Sequence, residues 1–305
     1  MASPLRLTVP WRGSECDGPV VVADAAWAAV LAEFETAEQA MSRFRDSSDL
    51  MRLNRLAGTG RTVNVPRRLE RALVAADRAH RVTDGRFDPR ILADLTRLGY
   101  EGAVLDRGSS TGVDRASRDG RIVERAVTGQ VLVSDPIDLG GIGKGLALRW
   151  AAALVERQGI TRYLLEAGGD LVARGESPDD GPWLVGIEDP AGGTEPLAAI
   201  ETAGGAVATS SVRVRSWVHE DRDVHHLLNP RTGEPAEGGL RAVTVAGADP
   251  AWAEIWSKTL FIGGHGTIAG EARRRGLAAW WVTDAGRLEM TPAARMRTAW
   301  VGDEA

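Results

Sequence analysis

The sequence predicts an α+β fold, and three observations support this prediction. Apolar residues recur at helical spacing in segments near the start, in the middle and towards the end of the chain. Short apolar segments of strand length lie between them, often several in succession. Strands and helices therefore mix without strict alternation, which favours α+β over a doubly wound parallel sheet. Because the 305 residues contain no repeat and no linker rich in proline or serine, we expect a single domain over residues 1–305.

Apolar residues three or four positions apart predict the helices. Trp27, Val30 and Phe34 mark a helix from residue 24 to about residue 44. The serines and aspartates that follow, at residues 46–49, favour a capped turn and the start of another helix. The other predicted helices cover residues 69–82, 146–155, 251–262 and 267–275.

Runs rich in β-branched and aromatic residues predict the strands. Before the first of them comes a Gly-x-Phe-Asp-Pro turn at residues 85–89. A polar stretch at residues 103–130 follows, which we interpret as a loop or a short hairpin. Residues 163–175 are typical of a strand, a tight turn and a second strand. The remaining predicted strands are 131–134, 183–187, 198–202, 206–209, 241–245 and 278–283.

Composition and charge argue against several classes of protein. The formal net charge of −5 gives no electrostatic support for a nucleic-acid partner. A lone cysteine, Cys16, excludes a disulfide framework within the chain. Residues 1–12 lack the apolar core of a secretory signal, and no apolar run is long enough to span a bilayer. We therefore expect a cytoplasmic protein without membrane insertion.

The most informative segment is Ile137–Gly145, which we call the glycine–lysine segment. It contains four glycines, one acid and one lysine, and leads into a predicted helix. Glycines expose backbone amides, a helix start carries partial positive charge, and a lysine adds a cation, so the pattern favours a phosphate ligand. It is no Walker A loop, because Lys144 is followed by Gly145. The alternative is a tight strand-to-helix connection with a surface lysine.

Two further segments carry residues suited to chemistry. His225 and His226 stand together before an Asn-Pro turn, and histidine is the side chain best suited to move protons near neutral pH. The alternative is a strand that enters a hairpin, with one histidine packed and one exposed. Glu254 and Lys258 share one face of a predicted helix, and by themselves they indicate no more than an exposed ion pair.

Taken together and in order, these segments resemble the ApbE family of FAD:protein FMN transferases. The resemblance runs from about residue 30 to about residue 265. Its motifs correspond here to residues 42–54, 85–89, 99–100, 138–145, 168–170, 209–211, 226–235 and 253–258. It implies an α+β, T-fold-like architecture with mixed sheets and flanking helices.

The resemblance also implies a reaction and a set of site residues. FAD is the substrate, Mg²⁺ is bound, and FMN passes to a Thr or Ser hydroxyl of an acceptor flavoprotein while AMP leaves. His226 corresponds to the general base, and a backbone carbonyl at Gly141 corresponds to a metal ligand. The positions that correspond to FAD contacts are Phe44, Leu98, Gly99, Tyr100, Asp138, Lys144 and Leu228.

The chain departs from the family pattern at the metal site. Glu254 and Lys258 stand where the family has an aspartate and a threonine, with Ser257 beside them. A glutamate oxygen is a suitable Mg²⁺ ligand and a serine oxygen is a further candidate, whereas a charged lysine has no lone pair to offer. We therefore assign Gly141, Glu254 and Ser257 to the metal and Lys258 to electrostatic catalysis.

Three functions follow from this pattern. The first is a working transferase in which Lys258 takes over part of the charge of the metal. The second is a degenerate relative that binds FAD or another nucleotide without transferring it, as a flavin carrier or regulator. The third is an FAD pyrophosphatase, in which water takes the place of the acceptor hydroxyl.

Overall fold

The computed structural model describes residues 4–10, 18–100, 120–127, 129–213 and 215–302. Within these ranges the helices are α1 (Gly18–Met41), α2 (Asp49–Asn54), α3 (Arg67–Val82), α4 (Leu92–Arg97), α5 (Gly143–Arg157), α6 (Pro250–Gly263), α7 (His265–Arg274) and α8 (Pro292–Arg295). None of the helices formed by these residues is long and apolar enough to cross a membrane.

The strands of the described residues are short. They are β1 (Leu5–Thr8), β2 (Val63–Asn64), β3 (Glu124–Val127), β4 (Gln130–Leu132), β5 (Tyr163–Ala167), β6 (Asp170–Arg174), β7 (Trp183–Ile187), β8 (Ala198–Thr202), β9 (Gly204–Ser211), β10 (Ser216–His219), β11 (Arg222–His225), β12 (Leu228–Asn229), β13 (Glu234–Pro235), β14 (Leu240–Gly247), β15 (Ala278–Thr283), β16 (Leu288–Met290) and β17 (Thr298–Val301).

The predicted elements are present, with changes at their ends. The mixture of helices and sheets confirms the α+β prediction. Helix α1 ends at Met41, before Phe44, and α5 begins at Gly143 and so includes the end of the glycine–lysine segment. The predicted hairpin is present as β3 and β4, whereas its first part, residues 103–119, lies outside the described residues, as does Cys16.

Contacts divide the chain into two compact units. The first unit contains residues 35–143 and 215–236, and the second contains residues 2–34, 144–214 and 237–305. That the whole chain is one domain stays a prediction.

The second unit is built on a seven-stranded sheet with the order β1-β5-β6-β9-β14-β15-β16. Each neighbouring pair in it is antiparallel. Helix α6 packs on β9 and β14, and 10 of its 14 residues are buried. The sheet also contributes Leu171, Val207 and Trp280 to a buried apolar cluster. A separate sheet has the order β17-β8-β7.

The start of α6 is fixed by its own sequence and by a close neighbour. Asp249 is the N-cap and accepts a hydrogen bond from the amide of Trp252 at 3.1 Å, and Pro250 occupies the first turn, where a missing N–H costs nothing. A Cβ atom at Gly145 would lie 2.5 Å from the Cα of Ala251 and 2.6 Å from the carbonyl oxygen of Pro250. The backbones of α5 and α6 therefore meet here, and only glycine leaves room for this contact.

Among its described residues, the first unit has three small sheets, with the orders β2-β4-β3, β10-β11 and β12-β13. Its helix α2 is capped by Ser48, whose hydroxyl accepts from the amide of Met51 at 3.1 Å, as the sequence predicts. The helix ends at Asn54, which is 3% exposed. The Asn54 side chain accepts from the amide of Ile137 at 2.9 Å and donates to its carbonyl oxygen at 2.8 Å. These bonds fix the beginning of the glycine–lysine segment.

Candidate functional site

The side chain of Arg43 lies between two aromatic rings of the first unit. Its guanidinium carbon is 4.5 Å from the ring centroid of Phe44 and 4.4 Å from that of Tyr100. Arg43 is 3% exposed, whereas Phe44 is 49% exposed. Phe44 is held by the hydroxyl of Ser42, which accepts from its amide at 3.1 Å. Phe44 is therefore an exposed aromatic ring beside a buried cation, and such a ring suits contact with a flat ligand.

The end of helix α4 places Tyr100. Gly99 has a φ of +78°, a left-handed conformation that favours glycine, and follows the C-cap residue Leu98. The amide of Gly99 donates to Thr96 at 3.0 Å and the amide of Tyr100 donates to Leu95 at 2.9 Å, which is the Schellman arrangement. The end of α4 by itself therefore explains why residue 99 is a glycine, without reference to a ligand.

Tyr100 belongs to a stack of rings. Its ring centroid is 4.9 Å from that of Trp217, with 24° between the planes, and 6.5 Å from that of His226, with 26° between the planes. The indole N–H of Trp217 donates to the carbonyl oxygen of Leu98 at 2.7 Å. We call Phe44, Tyr100, Trp217 and His226 the ring cluster.

The apolar support of the ring cluster comes from neighbouring elements. Leu98 and Leu228 are 0% and 1% exposed and belong to one buried cluster with Val224, against which Tyr100 and Trp217 pack. Leu98 and Leu228 therefore offer a ligand no side-chain surface.

His226 is oriented by the main chain. Its Nδ1 lies 3.3 Å from the carbonyl oxygen of Arg215. A carbonyl can only accept, so this contact places the ring proton on Nδ1 and makes Nε2 the proton acceptor of the neutral imidazole. This is the tautomer that a general base requires at Nε2.

The acid of the glycine–lysine segment, Asp138, is paired with Arg43. Its Oδ2 lies 3.0 Å from Nε of Arg43, with 8% and 3% of the two side chains exposed. Its Oδ1 accepts from the amide of Gly140, and its own amide donates to Pro89 at 2.7 Å. A buried ion pair needs such additional hydrogen bonds to offset desolvation. Gly141, the next residue of the segment, is buried.

The second unit brings Lys144 onto an aspartate. Nζ of Lys144 lies 2.5 Å from Oδ2 of Asp170, which is 2% exposed. Oδ1 of Asp170 accepts from the amide of Thr209 at 3.1 Å. Lys144 is therefore a largely buried, paired lysine. It is not the surface lysine of a simple strand-to-helix connection, which the sequence left open as an alternative.

Glu254 is buried against the first turn of α5. Its Oε2 accepts from the amide of Gly145 at 2.8 Å, and 5% of the residue is exposed. Burial raises the pKa of Glu254 to about 7, and Asp170 acts in the same direction, while the charges of Lys144 and Lys258 oppose this rise. We call Lys144, Asp170, Glu254 and Lys258 the charged cluster.

Ser257 faces the interior of the second unit. Its hydroxyl is 2.9 Å from that of Ser210 and donates to the carbonyl oxygen of Glu254 at 3.0 Å. Ser257 is 1% exposed. No group of three or more His, Cys, Asp or Glu side chains suited to a metal ion occurs in the part of the chain that the structure describes.

Three residues that lie in or against these two clusters have no role predicted from the sequence. Arg43 lies in a motif that the resemblance includes, at a position between Ser42 and Phe44 that carries no signal by itself. Trp217 is one of ten tryptophans, and its residue type alone does not single it out. The alternation of side chains along β10 would have placed it on one face of the strand together with His219. Asp170 ends a Gly-Gly-Asp motif, and this motif was the available signal.

The family profile described as the ApbE family matches residues 1–281 of the 305 in the chain. The chain belongs to the ApbE family. Among its relatives, a Klebsiella pneumoniae protein named FAD:protein FMN transferase is 27% identical, over 96% of this chain and 87% of the relative. A Salmonella typhimurium protein of the same name is 29% identical, over 81% of this chain and 73% of the relative.

Solved structures of the family have the same fold. The ApbE protein of Thermotoga maritima is 26% identical and superposes with a TM-score of 0.79, over 93% of both chains. The apo form of the flavinyl transferase ApbE of Pseudomonas stutzeri is 24% identical, with a TM-score of 0.76 over 98% of both chains. The second likeness concerns the fold alone.

Proposed function

We propose that this chain is an FAD:protein FMN transferase, which moves FMN from FAD to a Thr or Ser hydroxyl of an acceptor flavoprotein and releases AMP. Membership of the ApbE family and the names of its relatives support this proposal. The observation that carries it is His226, oriented as a base by a main-chain carbonyl and placed beside the aromatic ring of Tyr100.

The proposed reaction is a single displacement at phosphorus. The acceptor hydroxyl oxygen forms a bond to the FMN-side phosphorus of FAD, and the bond from that phosphorus to the bridging oxygen breaks. The hydroxyl proton passes to Nε2 of His226, and AMP leaves with the bridging oxygen. General-base catalysis of this kind contributes about 10²–10⁴-fold. In this proposal Phe44, Gly99 and Tyr100 bind the flavin nucleotide, with Leu98 and Leu228 behind the rings.

The glycine–lysine segment would bind the rest of FAD. We propose that Lys144 contacts the pyrophosphate and Asp138 the ribose or the adenine. Lys144 and Lys258 would stabilise the negative charge that develops on the transferring phosphate, because positive groups at that position lower the barrier of phosphoryl transfer. Lys258 follows Glu254 by one turn of α6, and its charge already acts on that carboxyl group.

The side chains present do not fit a protein-held Mg²⁺ ion. The hydroxyl of Ser257 is occupied by Ser210 and by a backbone carbonyl, and Glu254 accepts from Gly145. An ammonium group at Lys258 repels a divalent cation and cannot ligate it. We therefore derive no step through a metal. The assignment of Mg²⁺ to Gly141, Glu254 and Ser257 is therefore not carried into this proposal, whereas the cytoplasmic location stays a prediction.

The test is to incubate the chain with FAD and an acceptor flavoprotein domain, with Mg²⁺ or with EDTA. Flavin fluorescence on a denaturing gel reports covalent transfer, and an acceptor whose Thr or Ser is changed to Ala is the control. A fluorescent band that depends on this hydroxyl supports the proposal. AMP released without an acceptor would favour a pyrophosphatase. FAD binding without a fluorescent band and without AMP release would favour a flavin carrier. Either the pyrophosphatase result or the carrier result would contradict the transferase proposal.

A further inference from the structure

We propose that Arg43 is a positioning residue for FAD, which couples the ring cluster to Asp138 and so to the glycine–lysine segment. This inference rests on the proposed function, because it requires that FAD binds to the ring cluster. Arg43 is not one of the positions to which the resemblance gives a role.

The burial of Arg43 is the first argument. An arginine that is 3% exposed loses its hydration, and a charge in that state needs a partner with good geometry. The carboxylate of Asp138 supplies the opposite charge, with its Oδ2 at 3.0 Å from Nε of Arg43. Arg45, two residues later, differs in this respect, because it forms its ion pair with Glu35 at a side-chain exposure of 38%.

The second argument is the shape of the guanidinium. It contacts Phe44 and Tyr100 at 4.5 and 4.4 Å from their ring centroids, while the two rings stand at 79° to each other. Such a flat, delocalised cation can contact aromatic faces and still form an ion pair with a carboxylate, which a lysine ammonium cannot do from one position. The two rings contact each other edge to face, and Arg43 adds a contact to each of them. Arg43 therefore fixes their relative position.

Asp138 connects Arg43 to the backbone of the glycine–lysine segment. Arg43 contacts Oδ2 of Asp138, and Oδ1 accepts from the amide of Gly140. Both oxygens of the carboxylate are therefore engaged, and its plane is fixed. Loss of Arg43 would release the carboxylate and the Gly140 amide, as well as the Tyr100 ring. One change should thus weaken binding at both parts of FAD.

The experiment is calorimetric titration of the full chain with FAD, together with steady-state transfer kinetics. For Arg43→Lys we expect the Kd and the KM for FAD to rise about tenfold or more, from lost stacking and lost carboxylate geometry. The KM for the acceptor and kcat should change less than threefold. The matched control is Arg45→Lys, which should leave all of these values unchanged. Thermal unfolding shows whether each variant is folded.

A double-mutant cycle separates positioning from bulk stability. If Arg43 acts through Asp138, Arg43→Lys should weaken FAD binding strongly in the wild-type background and little in an Asp138→Asn background. Additive effects would overturn the coupling. An Arg43→Lys variant that binds FAD like the wild type would overturn the inference and leave the transferase proposal intact. No binding of FAD by the wild-type chain would overturn both.

Discussion

Replacing Gly145 with alanine should destabilise the second unit although the change adds one methyl group. The new Cβ would lie 2.5 Å from the Cα of Ala251 and 2.6 Å from the carbonyl oxygen of Pro250. Carbon atoms in contact stay about 3.5–4.0 Å apart, so the two helix starts must separate by roughly 1 Å. The atoms in the way are backbone, so a side-chain rotation cannot relieve the contact.

The magnitude follows from two terms. Overpacking of this kind costs about 1–3 kcal/mol. Separation of the helices also weakens the 2.8 Å hydrogen bond from the amide of Gly145 to Glu254. This hydrogen bond contributes about 0.5–3 kcal/mol, because the pKa of Glu254 is about 7 and its carboxyl group is therefore only partly charged near neutral pH. Because part of this bond survives a small shift, we expect the free energy of unfolding to fall by about 2–4 kcal/mol.

The matched control lies two residues earlier in the same segment. A Cβ at Gly143 meets nothing within 4 Å, and Gly143 is the first residue of α5. Gly143→Ala should therefore change stability by no more than about 0.5 kcal/mol, or raise it slightly through helix propensity. Urea unfolding followed by circular dichroism measures both variants. Equal stability of Gly145→Ala and Gly143→Ala would refute the close-contact argument.

Three further outcomes are expected from single substitutions. His226→Asn should lower the rate of FMN transfer by about 10²–10⁴-fold and keep FAD affinity, measured by the gel assay and by titration; a small change in rate would exclude His226 as the base. Lys258→Thr should make transfer more dependent on Mg²⁺, because a hydroxyl oxygen can ligate the ion; an unchanged response to EDTA would contradict charge replacement. Asn54→Ala should cost about 2–4 kcal/mol of unfolding free energy, since it leaves the buried amide and carbonyl of Ile137 unpaired, and a loss under 1 kcal/mol would show that water replaces both bonds.

The elements that could be predicted from the sequence are those with a long local pattern. Helix α3 ends at Val82 as predicted, and β15 (Ala278–Thr283) has the predicted bounds, because burial is periodic in the first and continuous in the second. Strands such as β1, β16 and β17 were not predicted. They are three or four residues long and lie at the edges of sheets, where half of the side chains or more contact solvent. Such strands are stabilised by pairing with neighbouring strands, and the local sequence pattern does not show which segments will pair.

The site residues divide in the same way. The glycines and Lys144 stand out because their types are unusual at that spacing, whereas the position of Arg43 between Phe44 and Tyr100 arises only when α4 and the segment after α1 meet. The role of Gly145 also differs from the expectation, because its missing side chain makes room for Ala251. A glycine-rich segment can therefore combine ligand binding and helix packing, and sequence alone does not divide these roles among its members.

The pairing of β1 has a consequence for the synthesis of the chain. Leu5 lies opposite Ala167 and Thr8 lies opposite Leu164, in an antiparallel pair at one edge of the large sheet. On the ribosome β1 must therefore remain without its partner until β5 has been made. A partly made chain exposes this strand to other proteins, and a chaperone or a nascent-chain factor that covers extended segments would protect it during that interval. A product that is truncated before β5 would also leave β1 as an unpaired strand, which favours aggregation.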